Sequence, residues 1–133
     1  MLARMSLPAA SNPPPNTLPD WIVIAAGGAI GASLRFAVQR ILSPMEWDLW
    51  IATALSNAVG ALALGLLTGF LARRHAHPLL RPFLAVGVLG SFTTFSTLIL
   101  ENQVLWEAGG PGGLLHLTGT VAVGLAAFAL GEA

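Results

Sequence analysis

Four long apolar runs limit what this chain can fold into. The second run, from Trp50 to Ala72, contains no charged side chain, and a helix that spans a bilayer needs roughly 20 predominantly apolar residues. The connections between the runs are too short to hold a soluble domain. The sequence therefore predicts an all-α membrane protein with four transmembrane helices, at residues 21–42, 50–72, 82–106 and 114–131.

Composition supports the same assignment. Charged residues make up 9% of the chain and hydrophobic residues 55%, whereas a soluble domain has about a quarter charged residues. So few charges could not cover a globular surface, and we expect the chain to be embedded in a lipid bilayer. Six basic residues balance six acidic ones, which gives no indication of a nucleic-acid partner. Cysteine is absent, so disulfides and thiolate metal sites are excluded.

The first 20 residues differ in kind from the rest. They are rich in proline, serine and asparagine, which predicts a disordered extension over residues 1–20 and a transmembrane domain over residues 21–133. Asp20 is a candidate N-cap for the first helix. Interfacial aromatic residues are common at the ends of spanning helices, and four tryptophans fall at predicted ends: Trp21, Trp47, Trp50 and Trp106.

Small residues mark one face of each of the first two helices. Gly27 with Gly31, and Gly65 with Gly69, form GxxxG pairs, which let helix backbones approach closely. Arg35 ends the stripe in the first helix. An arginine inside a span is costly unless it reaches the interface or lines water, so two roles stay open for it: interfacial snorkelling and an anion-attracting vestibule.

Asn57 is the most informative polar residue of the second helix. It shares a face with Thr53 and Gly60, and its amide has two N–H donors and one acceptor oxygen, all of which need partners in hydrocarbon. Either an interhelical hydrogen bond or a donor directed into a pore would satisfy it.

The third run contains GVLGSFTTFSTLILE, which combines glycines with hydroxyl residues that compete for backbone hydrogen bonds. We expect a helix break around residues 90–93, where freed carbonyls could coordinate a small cation. An unbroken helix with its hydroxyls bonded to their own turn is the alternative. Beyond the break, Thr94, Thr97 and Glu101 share a face. Phe95 and Leu98 lie beside them, and the positive edge of an aromatic ring could stabilise an anion.

The fourth helix places His116 and Thr120 on one face. A single histidine without other ligands at suitable spacing favours a hydrogen-bonded packing role over a metal site. The sequence contains no nucleophile–base triad, no paired catalytic carboxylates and no phosphate-binding glycine loop. An enzyme is therefore not expected.

The segments GGAIGASLRF, TALSNAVG and GVLGSFTTFSTLILE occur in this order within a four-span chain, and together they resemble the Fluc/CrcB fluoride channels over residues 22–131. The resemblance implies passive export of fluoride across the bacterial inner membrane, which confers fluoride resistance. It also implies an antiparallel, dual-topology homodimer with two pores. The arginines are compatible with dual topology, because their bias towards the N-terminal side is small.

The resemblance also implies roles for individual residues. A structural Na⁺ at the dimer centre would be held by the backbone carbonyls of Gly90 and Thr93. The residues implied in the fluoride pore are Asn57, Thr94, Phe95, Ser96, Thr97 and Leu98. The residues implied in a polar track and vestibule are Thr53, Glu101, Thr120, His116 and Arg35.

Three positions depart from the family pattern. Leu98 stands where a second phenylalanine is usual, Ser91 where glycine is frequent, and His116 where tyrosine is frequent. Since histidine can become charged, His116 predicts conduction that depends on pH. The competing hypothesis is a small dual-topology, proton-coupled multidrug exporter. That class requires a carboxylate within the first helix, where this chain has Arg35, and a scaffold subunit without transport is the third possibility.

Overall fold

The computed structural model describes residues 18–42, 49–74, 76–109 and 111–133, and these residues form helices joined by short turns. The elements are α1 (Leu18–Leu42), α2 (Leu49–Ala72), a π-helix (Pro82–Leu89), α3 (Gly90–Phe92), α4 (Phe95–Glu107) and α5 (Gly112–Glu132). Within these described ranges, four stretches are long and apolar enough to cross a membrane: Pro19–Leu42, Trp50–Ala72, Pro82–Glu107 and Gly112–Glu132. The prediction of an all-helical chain with four spans is confirmed. Residues 1–17 of the expected disordered extension, and Trp47, lie outside the described part. Residues 18–20, which the prediction also placed in the extension, are helical and belong to α1.

The first helix begins earlier than the sequence indicates. Leu18 is its first residue, so Asp20 lies inside the first turn and is not the N-cap. Proline is tolerated in a first turn, because its missing N–H would have no helical partner there, and Pro19 therefore does not block this start. The Asp20 carboxylate still lies near the positive end of the helix dipole.

The third span is broken, and the break lies later than expected. Gly90 is helical, with φ −64° and ψ −28°, and its N–H reaches the carbonyls of Ala85 and Gly87. Only Thr93 and Thr94 are extended, with ψ of 156° and 124°. Gly90 therefore belongs to the turn before the break, and the two threonines form the break itself. The π-helix that precedes this turn has no counterpart in the sequence-based prediction.

The helices pack as two close pairs, α1 against the π-helix and α2 against α5. Glycines permit both approaches. A Cβ on Gly31 would overlap the Val88 carbonyl, and a Cβ on Gly65 would overlap the Phe128 carbonyl. The close backbone approach predicted from the GxxxG pairs is therefore confirmed. After α4, Gly109 adopts φ 85°, a left-handed conformation that glycine accepts without strain and that commonly ends a helix.

Candidate functional site: a polar path along the third span

Threonine side chains terminate both helices at the break. The Thr93 hydroxyl donates to the Leu89 carbonyl at 3.0 Å, which closes the last turn before the extended pair. On the other side, the Thr94 hydroxyl oxygen accepts the Thr97 N–H at 3.2 Å and acts as the N-cap of α4. Side-chain caps of this kind satisfy N–H groups that a helix start leaves without partners. The break therefore results from the two consecutive threonines, whose hydroxyls compete for the hydrogen bonds of the backbone.

Asn57 holds the break from the second span. Its Nδ2 donates to the Thr94 carbonyl at 3.0 Å, and its Oδ1 accepts the Thr94 N–H at 2.7 Å. One amide thus satisfies both backbone groups of an extended residue, which hydrocarbon would otherwise leave unpaired. We call this pair of bonds the Asn57 clamp. The interhelical role for Asn57 is present, and the second hydrogen of Nδ2 is left for another acceptor.

The break also leaves two backbone carbonyls without the N–H groups that would bond to them in a continuous helix. In a continuous helix the Gly90 carbonyl would accept the Thr94 N–H, and the Thr93 carbonyl would accept the Thr97 N–H. Those N–H groups are bound instead to Asn57 Oδ1 and to Thr94 Oγ1. Backbone carbonyl oxygens are suitable ligands for a hard cation. These two therefore fit the chemistry expected for Na⁺, whereas the described residues contain no cluster of three His, Cys, Asp or Glu side chains that could hold a metal.

Hydroxyl groups form a compact cluster at the start of α4. The Thr94 hydroxyl donates to Thr97 Oγ1 at 3.0 Å and lies 3.3 Å from Ser96 Oγ. Thr94 is buried, Thr97 is half-buried and Ser96 is exposed. The cluster therefore leads from the buried clamp to the surface of the single chain and offers O–H groups along the way.

A groove of about 360 Å³ lies beside this cluster, and we call it the break groove. Polar and aromatic residues at its wall include Asn57, Thr93, Thr94, Phe95 and Thr120, and the rest of its lining is largely apolar. The Phe95 side chain is 66% exposed and Leu98 is 2% exposed. These two predicted pore residues thus differ, because Phe95 projects from the chain whereas Leu98 is part of its core.

A second polar cluster surrounds Glu101. The Thr53 hydroxyl donates to Glu101 Oε1 at 2.7 Å, and His116 Nε2 lies 3.2 Å from Oε2. The Glu101 side chain is 12% exposed and that of His116 is 4% exposed. Three residues predicted for the polar track therefore meet in space, although they belong to three different helices.

Two features of this region have no counterpart in the sequence-based prediction. The ring of Trp50 meets that of His116 edge-on, with centroids 5.6 Å apart. Both rings line a groove of about 320 Å³ with Leu105, Gly112 and Leu115, which we call the mouth groove. The sequence marked Trp50 only as an interfacial residue, because its position at a helix start does not reveal which ring it faces.

Arg35 lies apart from these clusters. It is half-buried in α1, and it makes no hydrogen bond or ion pair with any other residue in the described ranges. Thr120, one turn beyond His116, is buried and lines the break groove. Of the predicted polar track, Thr53, Glu101 and His116 meet directly, Thr120 faces the neighbouring groove, and Arg35 is not joined to them.

Comparison with known proteins places this architecture in a family. The family described as CrcB-like protein, Camphor Resistance (CrcB), matches residues 22–132. The Fluoride-specific ion channel FluC of Paracoccus denitrificans is 38% identical over 112 residues, which cover 84% of this chain and 90% of that protein. The protein of the same name from Novosphingobium aromaticivorans is 42% identical over 113 residues, which cover 81% and 89% of the two chains. These matches cover most of the chain, and they show that it belongs to the CrcB-like family.

Proposed function

We propose that this protein is a fluoride-selective channel that lets fluoride leave the cytoplasm passively across the inner membrane. The observation that carries the proposal is the groove beside the helix break, which is lined within the span by the Asn57 amide, by threonines and by Phe95. Relatives at 38% and 42% identity are named fluoride-specific ion channels. Because these relatives are named ion channels, we infer that this protein also acts as a channel and not as an enzyme.

Fluoride is small and strongly hydrated, so a pore must replace its water with other donors. The remaining N–H of Asn57 and the hydroxyls of Ser96 and Thr97 are such donors. The exposed Phe95 ring adds a positive edge. None of the break-groove residues carries a positive charge, which would hold the anion too tightly. Many weak contacts permit binding that is strong enough for entry and weak enough for release.

The complete pore requires a second copy of the chain. Phe95 is 66% exposed on the single chain, and the Gly90 residue is exposed while Thr93 is half-buried. An antiparallel partner would bring its own Gly90 and Thr93 carbonyls to the same point, which makes four oxygens. That set suits a structural Na⁺, and Na⁺ would hold the two breaks together. Two-fold symmetry would then repeat the pore on both sides of the ion.

The structure supports proton-coupled drug export less well than it supports a fluoride channel. In α1 the one acidic residue is Asp20, which lies in the first turn, so the helix has no carboxylate at mid-membrane for proton exchange. Glu101 is the membrane carboxylate of the described part, and it is already bonded to Thr53 and His116. A cationic drug would therefore find no free acid on the first helix.

Ion efflux from liposomes that contain purified protein tests the proposal. We expect fast fluoride efflux driven by a gradient alone and little chloride efflux. Thr97→Val removes a donor but keeps the shape of the side chain, and it should slow fluoride efflux severalfold. Val59→Ala changes an exposed apolar residue of α2 and serves as the matched control. Equal fluoride and chloride rates, or efflux that depends on a proton gradient, would contradict the proposal.

A further inference from the structure

The Glu101 cluster lies next to both the mouth groove and the break groove. His116 lines the mouth groove, while Leu98 and Thr120, one turn away from Glu101 and His116 on their own helices, line the break groove. An anion in the break groove therefore lies within about one to two helical turns of the Glu101 carboxylate. A bare carboxylate at that point repels an anion, so the charge of the cluster decides how easily fluoride passes.

The distances in this cluster are compatible with an ionised Glu101 whose two oxygens both accept hydrogen bonds. An ionised carboxylate only accepts, so the Thr53 hydroxyl donates to Oε1 and His116 Nε2 must carry the hydrogen that faces Oε2. That arrangement is possible for neutral histidine with its hydrogen on Nε2, and equally for the imidazolium with a second hydrogen on Nδ1. Both contacts of Glu101 survive in either state. One proton can therefore enter the cluster without moving a side chain, and it changes the net charge from −1 to zero.

No other charge within the neighbouring helices competes with this proton. The helices packed against α5 are α2 and α4. From α2 the cluster is faced by Thr53 and Trp50, and α2 has no ionisable side chain along its whole length. From α4 it is faced by Glu101. The other acid of α4 is Glu107, at the end of the helix and bonded to Gln103 at 3.0 Å. Glu132, at the opposite end of α5, lies about 24 Å along the helix from His116.

We propose that Glu101 and His116 form a proton-binding site whose occupancy is coupled to fluoride in the break groove. This inference rests on the proposed function, since it assumes that fluoride uses the groove. Histidine changes its charge between about pH 5 and 8. The proton on His116 removes the repulsion, so fluoride binds more tightly to the protonated cluster. By reciprocity of binding, fluoride also draws a proton onto the cluster.

The size of the coupling follows from the separation along α4. Residues 94 to 97 precede Glu101 by one to two turns, about 6–10 Å. One unit of charge at that distance in a partly buried site changes fluoride affinity by roughly 10- to 100-fold. We therefore expect fluoride efflux to rise about tenfold between pH 8 and pH 5.5, as the site gains its proton.

Two measurements on the full-length protein test this site. The first is fluoride efflux from proteoliposomes between pH 5.5 and 8, after subtraction of leakage from protein-free liposomes. Wild type and the control His77→Gln, which alters a histidine outside the spans, should show the tenfold rise. His116→Gln keeps an N–H donor for Glu101 but cannot take up a proton, so its efflux should be independent of pH. Glu101→Gln removes the repulsion at every pH, so its efflux should already be fast at pH 8 and should rise less than that of wild type.

The second measurement is proton uptake when sodium fluoride is added to purified protein in weak buffer near pH 7, followed with a pH indicator. Wild type and His77→Gln should take up protons, up to one per chain, and His116→Gln none. This measurement does not depend on conduction. A parallel pH dependence of efflux in wild type and His116→Gln, or fluoride binding without proton uptake in wild type, would overturn the proton site and leave the channel function standing. Absence of fluoride efflux from wild type at every pH would instead overturn the proposed function.

Discussion

Removal of the Asn57 clamp should both destabilise the protein and loosen the helix break. Asn57→Ala deletes two hydrogen bonds to Thr94, of 3.0 Å and 2.7 Å, and leaves a backbone N–H and a carbonyl without their partners. Interhelical hydrogen bonds in membrane proteins contribute on average about 0.6 kcal/mol and at most about 1.7 kcal/mol. We therefore expect the free energy of unfolding to fall by about 1–3 kcal/mol.

A second asparagine supplies the matched control. The side-chain oxygen of Asn102 is buried, and it accepts no hydrogen bond within the described part of the chain. Asn102→Ala removes the same amide from the third span but no interhelical bond. Its effect on unfolding should stay within about 1 kcal/mol, because the loss of an unpaired buried acceptor offsets part of the lost packing.

Amide hydrogen exchange of the peptide that contains Thr94 is the sharpest assay. In wild type the Thr94 N–H is bound to Asn57 Oδ1, and a loss of about 1–3 kcal/mol corresponds to about 5- to 150-fold faster exchange by local opening. The acceleration should be confined to the break in Asn57→Ala and absent in Asn102→Ala. Unchanged exchange at Thr94, together with equal unfolding free energies for the two variants, would refute the clamp.

Three further substitutions test other parts of the structure. Gly31→Ala places a Cβ against the Val88 carbonyl and should lower yield and thermal stability, and a melting temperature equal to that of wild type would contradict the close packing of α1 on the π-helix. Leu98→Phe places a larger side chain at a site that is 2% exposed, and it should lower the free energy of unfolding by about 1–3 kcal/mol. The control Ile99→Phe, at a site that is 40% exposed, should leave the free energy of unfolding nearly unchanged. Equal stabilities of the two variants would show that the core at Leu98 has room for a ring. Phe95→Leu removes the exposed ring and should slow fluoride efflux while the melting temperature stays close to that of wild type. Parallel measurements of efflux and melting test this.

Much of the fold follows from patterns local in the chain. The length of uncharged runs predicts four spans, because hydrocarbon excludes charge and unpaired backbone alike. The GxxxG pairs predict close helix contacts, and the run of glycine, serine and threonine predicts a break in the third span. All three depend on properties that a short segment has by itself. The start of α1 was predicted wrongly, because a local pattern does not distinguish Asp20 as an N-cap from Asp20 inside the first turn.

The location of the break could not be derived so directly. Gly90 is the residue most able to leave a helix, yet it stays helical, and Thr93 and Thr94 become extended. The reason is a partner that is 37 residues away, since Asn57 offers both a donor and an acceptor to Thr94. Local propensity shows that the segment can break, while the tertiary contact selects the residue at which it does.

The sequence by itself determined that this chain is embedded in a membrane and crosses it four times. It also determined that hydroxyls, an amide and a carboxylate lie within the spans. Tertiary structure alone decided which of these groups meet. It brought Thr53 and His116 to opposite oxygens of Glu101 and joined Asn57 to Thr94, while it buried Leu98 and left Phe95 exposed. The physical reason is that helix periodicity tells which side chains share a face, but the rotation of each helix against its neighbours depends on packing between distant segments.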